Sequence, residues 1–101
     1  MKLLNAVTAT GASTSSLSTG KAHSSWGLQV KHTGTPTTCV VVVQGSNNAS
    51  DWFTVLTWTA ASETNGDVVF ATGKPCLYAR LNLTTLSGGS SPTVSAWLSA
   101  Y

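Results

Sequence analysis

Residues 38–45 read TCVVVVQG, and this segment decides the fold class. Its four consecutive valines are β-branched and fill both faces of the strand that they form, which is typical of a strand in the middle of a sheet. The unbroken apolar run, residues 39–43, is far shorter than the roughly 20 residues that a membrane-spanning helix needs. We therefore predict a central β-strand here, with further strands on both sides of it.

The rest of the chain also predicts strands. No segment keeps a period near 3.6 residues, and turn-forming residues interrupt the chain at short, regular intervals. Further strands are predicted at 3–9, 25–31, 52–58, 67–71, 76–83 and 93–100, with turns at 33–36, 45–51, 65–66, 72–75 and 86–92, the last of these a flexible loop. Residues 12–19 are predicted as a short strand or part of an arm. The 101 residues then form one domain, residues 1–101, an all-β antiparallel sandwich that is jelly-roll-like and has seven or eight strands.

Alternation of apolar and polar residues predicts which side chains form the core. In a strand, residues two apart lie on the same face of the sheet. The inward-facing residues predicted in this way are Trp26, Leu28 and Val30, then Leu77, Ala79, Leu81 and Leu83, and finally Val94, Ala96, Leu98 and Ala100.

The chain has few charges. It contains five Lys or Arg and three Asp or Glu, so that 8% of its residues are charged against about 25% in an average soluble domain. Thirty residues are Ser or Thr. A net charge of +2 on scattered basic residues does not provide the electrostatic field that binds a nucleic acid. Disordered chains combine a high net charge with few apolar residues, and this net charge is too small for that class. We expect neither a nucleic-acid nor a membrane partner.

The ionisable residues do not predict an enzyme. The acids are Asp51, Glu63 and Asp67. Asp51 is in a predicted turn and Asp67 directly follows a hairpin glycine, positions at which acids bond the local backbone. The two histidines, His23 and His32, lie at predicted strand ends, and no nucleophile-elbow motif accompanies the serines. We expect no catalytic residue and no cofactor.

The two cysteines do not predict a metal site. Cys39 and Cys76 are separated by 36 residues, whereas zinc ligands come in closely spaced pairs. A disulfide between neighbouring sheets is one alternative, and two small buried hydrophobic residues in a reducing cytoplasm are the favoured one. Residues 1–4, MKLL, begin like a signal peptide, but Asn5 interrupts the apolar stretch, so we expect a first strand and no export signal.

Four aromatic residues are candidates for a binding surface. Trp52 and Trp58 flank one predicted strand, Trp97 lies on the polar face of the last strand, and Tyr101 follows it. Exposed tryptophans bind sugars by stacking, but tryptophans also anchor cores and subunit interfaces. We favour a core or interface role for these residues, with a sugar platform as the alternative.

The order of several short motifs resembles a known group of proteins. A strand ending in Gln44-Gly45-Ser46 leads through a polar turn to residues 51–56, DWFTVL. Residues 77–83, LYARLNL, then precede the Gly88-Gly89 loop and the closing segment 91–98, SPTVSAWL. Over roughly residues 28–100 the chain resembles small β-sandwich structural proteins of tailed bacteriophage virions. The segment around Gly45 is also similar to discoidin-like jelly rolls that bind carbohydrate, although those have Asp-Gly where this chain has residues 47–49, NNA.

The phage resemblance implies a capsid decoration protein, of the cement or minor head type, which binds the outer capsid in many copies and stabilises it. Its partners would be the major capsid protein or another virion protein. By the same resemblance it would form a trimer. Since we expect no export signal, it would be made in the host cytoplasm. The Ser/Thr-rich segment 10–25 is our candidate for an arm that orders on a neighbour. The alternatives are a tail, collar or fibre component, or a carbohydrate-binding module.

Overall fold

The computed structural model describes residues 1–60 and 66–100. They form seven antiparallel strands and no helix, so none of these residues belongs to a helix that could span a membrane. The strands are β1 (Lys2–Val7), β2 (Gly11–Ala12), β3 (Leu17–Thr33), β4 (Thr38–Ser46), β5 (Phe53–Thr59), β6 (Gly66–Ser87) and β7 (Thr93–Ala100). The prediction of an all-β single-domain sandwich is confirmed. The predicted hairpin at 65–66 lies partly outside the described residues.

The two longest strands, β3 and β6, connect the two layers of the sandwich. The hydrogen-bonded order is β1-β7-β3-β6-β4-β5, with β2 also beside β6. Residues 66–72 of β6 pair with β3, whereas residues 78–87 of β6 pair with β4. One layer is therefore built from β1, β7, the end of β3 and the start of β6, and the other from the start of β3, β2, the end of β6, β4 and β5.

The sheet bends between the layers at a pair of bulges. Between the paired residues His23↔Cys76 and Ser18↔Tyr78, β3 contains extra residues, and between Ser25↔Thr72 and His23↔Cys76 the extra residues are in β6. Bulges bend a strand and increase its twist. The predicted turn at 72–75 is therefore wrong, because these residues lie within one continuous strand. Gly73, at a φ of +75°, and Pro75 suit a bulge as well as they suit a turn.

The core lies between the two layers and contains most of the predicted residues. The buried hydrophobic side chains come from β1, β3, β4, β5, β6 and β7, and those that are fully or almost fully buried include Trp26, Leu28, Val30, Val41, Val43, Ala79, Leu81, Leu83, Val94, Ala96 and Leu98. Leu77 and Ala100, which were also predicted to face inward, are only partly buried. The prediction that β4 is central is confirmed, since it lies between β5 and β6.

Both cysteines are free and buried, Cys39 in β4 and Cys76 in β6. Burial raises the pKa of both thiols, because the thiolate loses its hydration. The prediction of two small buried hydrophobic residues without a disulfide is confirmed.

The segment at 10–25, for which the sequence allowed a short strand or an arm, lies against β6 of its own chain. Gly11 and Ala12 form β2 opposite Leu83 and Asn82. The backbone N–H of Ser13 donates to the carbonyl of Leu81 at 2.7 Å, and from Leu17 onward the segment belongs to β3.

Two loops at one end of the sandwich are joined by hydrogen bonds. They are the 34–37 loop, between β3 and β4, and the 88–92 loop, between β6 and β7. The N–H of Ser90 donates to the carbonyl of Gly34 at 2.8 Å, and the N–H of Thr37 donates to the carbonyl of Ser87 at 2.8 Å. The loop is thus shorter than the predicted 86–92, since β6 continues to Ser87. It is not free, because the hydrogen bonds above hold it against the 34–37 loop.

Candidate functional site

Trp58, one of the four predicted candidates, belongs to the core. Its side chain is 4% exposed, and its ring centroid lies 6.0 Å from that of His32. The ring therefore has no free face on which a sugar could stack. Trp58 is a core residue and not a sugar platform.

Trp52 lies just before β5 and is covered on one face by a cation. The guanidinium of Arg80 lies 4.5 Å from the ring centroid, and Arg80 Nε donates to Gln44 Oε1 at 2.8 Å. Arg80 and Gln44 are paired residues of β6 and β4, so the sheet register fixes the guanidinium in this place. A cation above an aromatic face stabilises the ring position and occupies the surface that a sugar would need.

Trp97 lies on the outer face of the other layer, as the alternation predicts. Lys2 is its paired residue in β1, and Lys2 Nζ lies 5.0 Å from the ring centroid. The half-buried ring lines a shallow cavity of about 210 Å³ together with Gly27 and Val68. Tyr101, the fourth candidate, lies outside the described residues. Trp52 and Trp97 therefore lie on different layers, Trp52 beside Arg80 and Trp97 beside Lys2, and do not form one binding surface.

A larger groove, which the sequence did not predict, lies where β4 ends beside β6. Its volume is about 580 Å³. Three segments form it: the end of β4 with the following loop, the start of β5, and the bulge of β6. Its apolar lining includes Phe53, Val55, Pro75 and Cys76, and its polar lining includes Asn48, Asp51 and Lys74. The first two segments are continuous in sequence, but the third, residues 73–76, comes about 20 residues later and was predicted to contain a turn. The sequence alone therefore did not predict that the three segments form one groove.

The polar rim of the groove is fixed by its own hydrogen bonds. Asn48 Oδ1 accepts from the backbone N–H groups of Ser50 and Asp51, both at 2.9 Å, and Asn48 Nδ2 donates to Asp51 Oδ2 at 2.9 Å. Asn47 Oδ1 accepts from the N–H of Leu77 at 2.9 Å, which ties this loop to β6. Such side-chain bonds to nearby backbone hold a turn in one conformation.

The described acids have local partners. Asp51 accepts from Asn48, as above, and Asp67 Oδ1 accepts from the N–H of Val68 at 2.8 Å. Within residues 1–60 and 66–100, no three His, Cys, Asp or Glu side chains lie close enough together to hold a metal ion. The groove therefore offers a ligand an apolar floor, amide and hydroxyl groups, one carboxylate and one ammonium.

His32 is buried without a hydrogen-bond partner. It is 4% exposed and faces the core at the end of β3, and neither ring nitrogen has a partner among the described residues. An unsatisfied buried polar group costs about 1–3 kcal/mol. We therefore expect His32→Leu to raise the free energy of unfolding by about 1 kcal/mol, measured by urea denaturation.

The matched variant for this test is His32→Asn, which keeps a polar group in the same place and is expected to be less stable than the wild type. A His32→Leu protein that is less stable than the wild type would contradict the prediction, since it would mean that the imidazole makes a favourable polar contact.

Comparison with protein-family models, with curated proteins and with solved structures found no match to this chain.

Proposed function

We propose that this protein is a capsid decoration protein of a tailed bacteriophage, which binds the outer shell in many copies and stabilises it. The observation that carries the proposal is the replacement of charge by hydroxyl groups: eight charged side chains against thirty Ser and Thr in 101 residues. A protein that docks on another protein by a neutral surface avoids desolvating unpaired ions, each of which costs several kcal/mol.

The distribution of apolar surface supports the same role. Among the described residues, Phe53 is 72% exposed, and Val68 and Phe70 are each 69% exposed. All three project from strands and not from loops, so their positions are fixed by the sheet. Weak apolar contacts of this kind become strong together when symmetry repeats them over a shell.

Copy number tests the proposal. We expect quantitative mass spectrometry of purified particles to find on the order of hundreds of copies per particle, as for a protein that follows the symmetry of the shell. A dozen copies or fewer would contradict decoration and would favour a tail, collar or fibre component.

A second measurement tests stabilisation directly. Particles that lack the protein are expected to release their DNA at a lower temperature than complete particles, and adding the purified protein back is expected to restore the higher temperature. A shell whose release temperature does not depend on the protein would contradict the cement role, even at high copy number.

A sugar-binding module is the second candidate, and the groove is the observation that favours it. An exposed phenyl ring next to amide and carboxylate groups is the combination that contacts the apolar face and the hydroxyls of a sugar. Nuclear magnetic resonance titration with simple saccharides tests it. Shifts confined to the groove, and lost in Phe53→Ala but not in Phe70→Ala, would support this candidate over decoration.

A further inference from the structure

Residues 66–72 of β6 form an open edge of the sheet. β3 pairs with one side of this segment, from Lys31↔Gly66 to Ser25↔Thr72. β4 pairs with β6 only from Tyr78 onward, so among the described residues no strand pairs with the other side of 66–72. The N–H and C=O groups on that side are available to another strand.

The same segment carries two of the most exposed apolar side chains. Val68 and Phe70 are each 69% exposed and lie on one face, because they are two residues apart. Phe70 pairs with Gly27, which has no side chain to cover the ring. The open edge is therefore bordered by an apolar stripe.

The usual protections of an edge strand are missing from this segment. Edge strands of monomers commonly carry lysine, proline or an inward-pointing charge. The one charged residue in 66–72 is Asp67, whose carboxylate bonds the N–H of Val68. Lys74 and Pro75 come only in the bulge. An exposed apolar edge without such protection is normally covered by a second strand.

The segment is complementary to itself. If two copies of residues 66–72, GDVVFAT, run antiparallel about Val69, each Val68 lies opposite a Phe70, and each Asp67 lies opposite Ala71. The two carboxylates are then four residues apart along the strands, about 13 Å at a rise of about 3.3 Å per residue. No like charges face each other, and the aromatic and β-branched side chains form the cross-strand pairs that stabilise antiparallel sheets.

We propose that this edge pairs with the same edge of a second copy of the chain, forming a two-fold symmetric dimer with one continuous outer sheet. A two-fold interface uses the same surface on both subunits, which is what self-complementarity provides. The inference does not depend on the capsid role, and it differs from the trimer that the phage resemblance implies.

The dimer is expected to be weak in solution. Seven paired residues, with two Val68–Phe70 pairs on the exposed face, form a contact at or below the low end of specific interfaces, about 1,200 Å² of total buried surface. Its population is therefore expected to rise with protein concentration over a range of about 1–500 µM.

Sedimentation velocity over that range tests the proposal. We expect the weight-average mass of the wild type to rise from that of the 10.4 kDa monomer toward twice that value. Val68→Lys and Phe70→Lys are expected to remain monomeric, because each places an ammonium in the apolar pair. Phe53→Lys is the matched control: Phe53 is similarly exposed but belongs to β5 and not to the segment 66–72, and the variant is expected to dimerise like the wild type.

The folding of each variant is verified by circular dichroism and by its urea midpoint. Since the replaced side chains are mostly exposed, these are expected to stay close to those of the wild type. A wild type that is monomeric at every concentration, a trimer, or a dimer that only Phe53→Lys dissociates would each overturn the proposal. A chain that stays monomeric and uses this edge to bind another virion protein would also overturn the proposal.

Disulfide cross-linking tests the register. Directly opposed residues of antiparallel strands have Cα atoms about 4.5–5.5 Å apart, which is within disulfide range. A mixture of Val68→Cys and Phe70→Cys chains is expected to form the mixed dimer well above the statistical share, and wild-type chains, whose cysteines are buried, are expected to form none. Equal yields of mixed and like dimers would overturn this register. Copy number on the particle is measured separately, so the two proposals fail independently.

Discussion

Replacing Trp26 by alanine is expected to lower the free energy of unfolding by about 3–5 kcal/mol, the cost of removing a large buried aromatic side chain. Trp26 is 1% exposed and lies in β3, where it pairs with Ala71 of β6 and with Ala100 of β7. The small side chains on both neighbouring strands cannot fill the space that the indole leaves. A cavity would therefore remain in the layer.

The indole also holds the bulge of β6. Trp26 Nε1 donates to the carbonyl of Lys74 at 3.1 Å, and the bulge is where the sheet passes from one layer to the other. Trp26→Phe keeps most of the apolar contact but loses this hydrogen bond. We expect it to cost less than alanine, about 1–3 kcal/mol, since the carbonyl of Lys74 also lies 3.6 Å from Cys76 Sγ and is not left without a donor.

Urea denaturation followed by far-ultraviolet circular dichroism measures these changes without relying on tryptophan fluorescence. Trp97→Ala is the control, because Trp97 is half-buried on the outer face, and it is expected to cost about 1 kcal/mol or less. If Trp26→Ala does not fold, Trp26→Phe still gives a measurable midpoint. Equal losses for Trp26→Ala and Trp97→Ala would contradict the central place of Trp26 in the core.

Local alternation made the faces of β3 and β7 predictable from the sequence. In each of these strands three successive apolar residues two apart face the core, for example Val94, Ala96 and Leu98. The valine run predicted the central place of β4, because a strand with a neighbour on each side has apolar side chains shielded by those of both neighbours, and Val42, on the face opposite Val41 and Val43, is only 8% exposed.

The continuity of β6 could not be predicted, because it depends on a distant partner. Residues 72–75 have turn composition, and nothing local distinguishes a turn from a bulge. The outcome is decided by β3, about 50 residues away in sequence, which bulges at the same level and so bends with β6. Nonlocal pairing of this kind leaves no pattern in a single strand.

The roles of the tryptophans and of Phe53 depend on a register shift in β5. The pairing with β4 moves by one residue between Val43 and Gln44, which places an extra residue, Val55, in β5. Trp58 lies on the core side of this shift, whereas Phe53 lies beyond it at the groove. Strict alternation along 52–58 places Trp52 and Trp58 on the same face, so it could not predict that Trp58 is buried in the core while Trp52 lies against Arg80.

Replacing Gly34 by alanine is expected to lower the free energy of unfolding by about 2–5 kcal/mol, for two reasons that a matched variant separates. The first is conformational, since Gly34 has a φ of +78°, a region that costs other L-residues about 1–2 kcal/mol. The second is steric, since a Cβ atom at Gly34 would lie 2.5 Å from the carbonyl oxygen of Ser90 and 2.7 Å from Pro92 Cα. Both are backbone atoms that cannot rotate away.

Gly73 isolates the conformational cost. Its φ is +75°, almost the same as that of Gly34, but a Cβ atom there would meet no atom within 4 Å. Gly73→Ala is therefore expected to cost about 1–2 kcal/mol, and the difference between the two variants measures the steric contact alone. Urea midpoints at constant slope give both values.

The steric cost reflects how the two loops hold each other. Moving the 88–92 loop away from a new methyl group would lengthen the bond from the N–H of Ser90 to the carbonyl of Gly34, which is 2.8 Å long. It would also displace Gly88 from the side chain of Thr37 and Gly89 from the backbone of Gly34, which the two glycines approach too closely to accept a side chain of their own. Since these loops join β3 to β4 and β6 to β7, a larger loss for Gly34→Ala than for Gly73→Ala would show that the contact between them stabilises this end of the sandwich. Equal losses would mean that the loops separate at little cost.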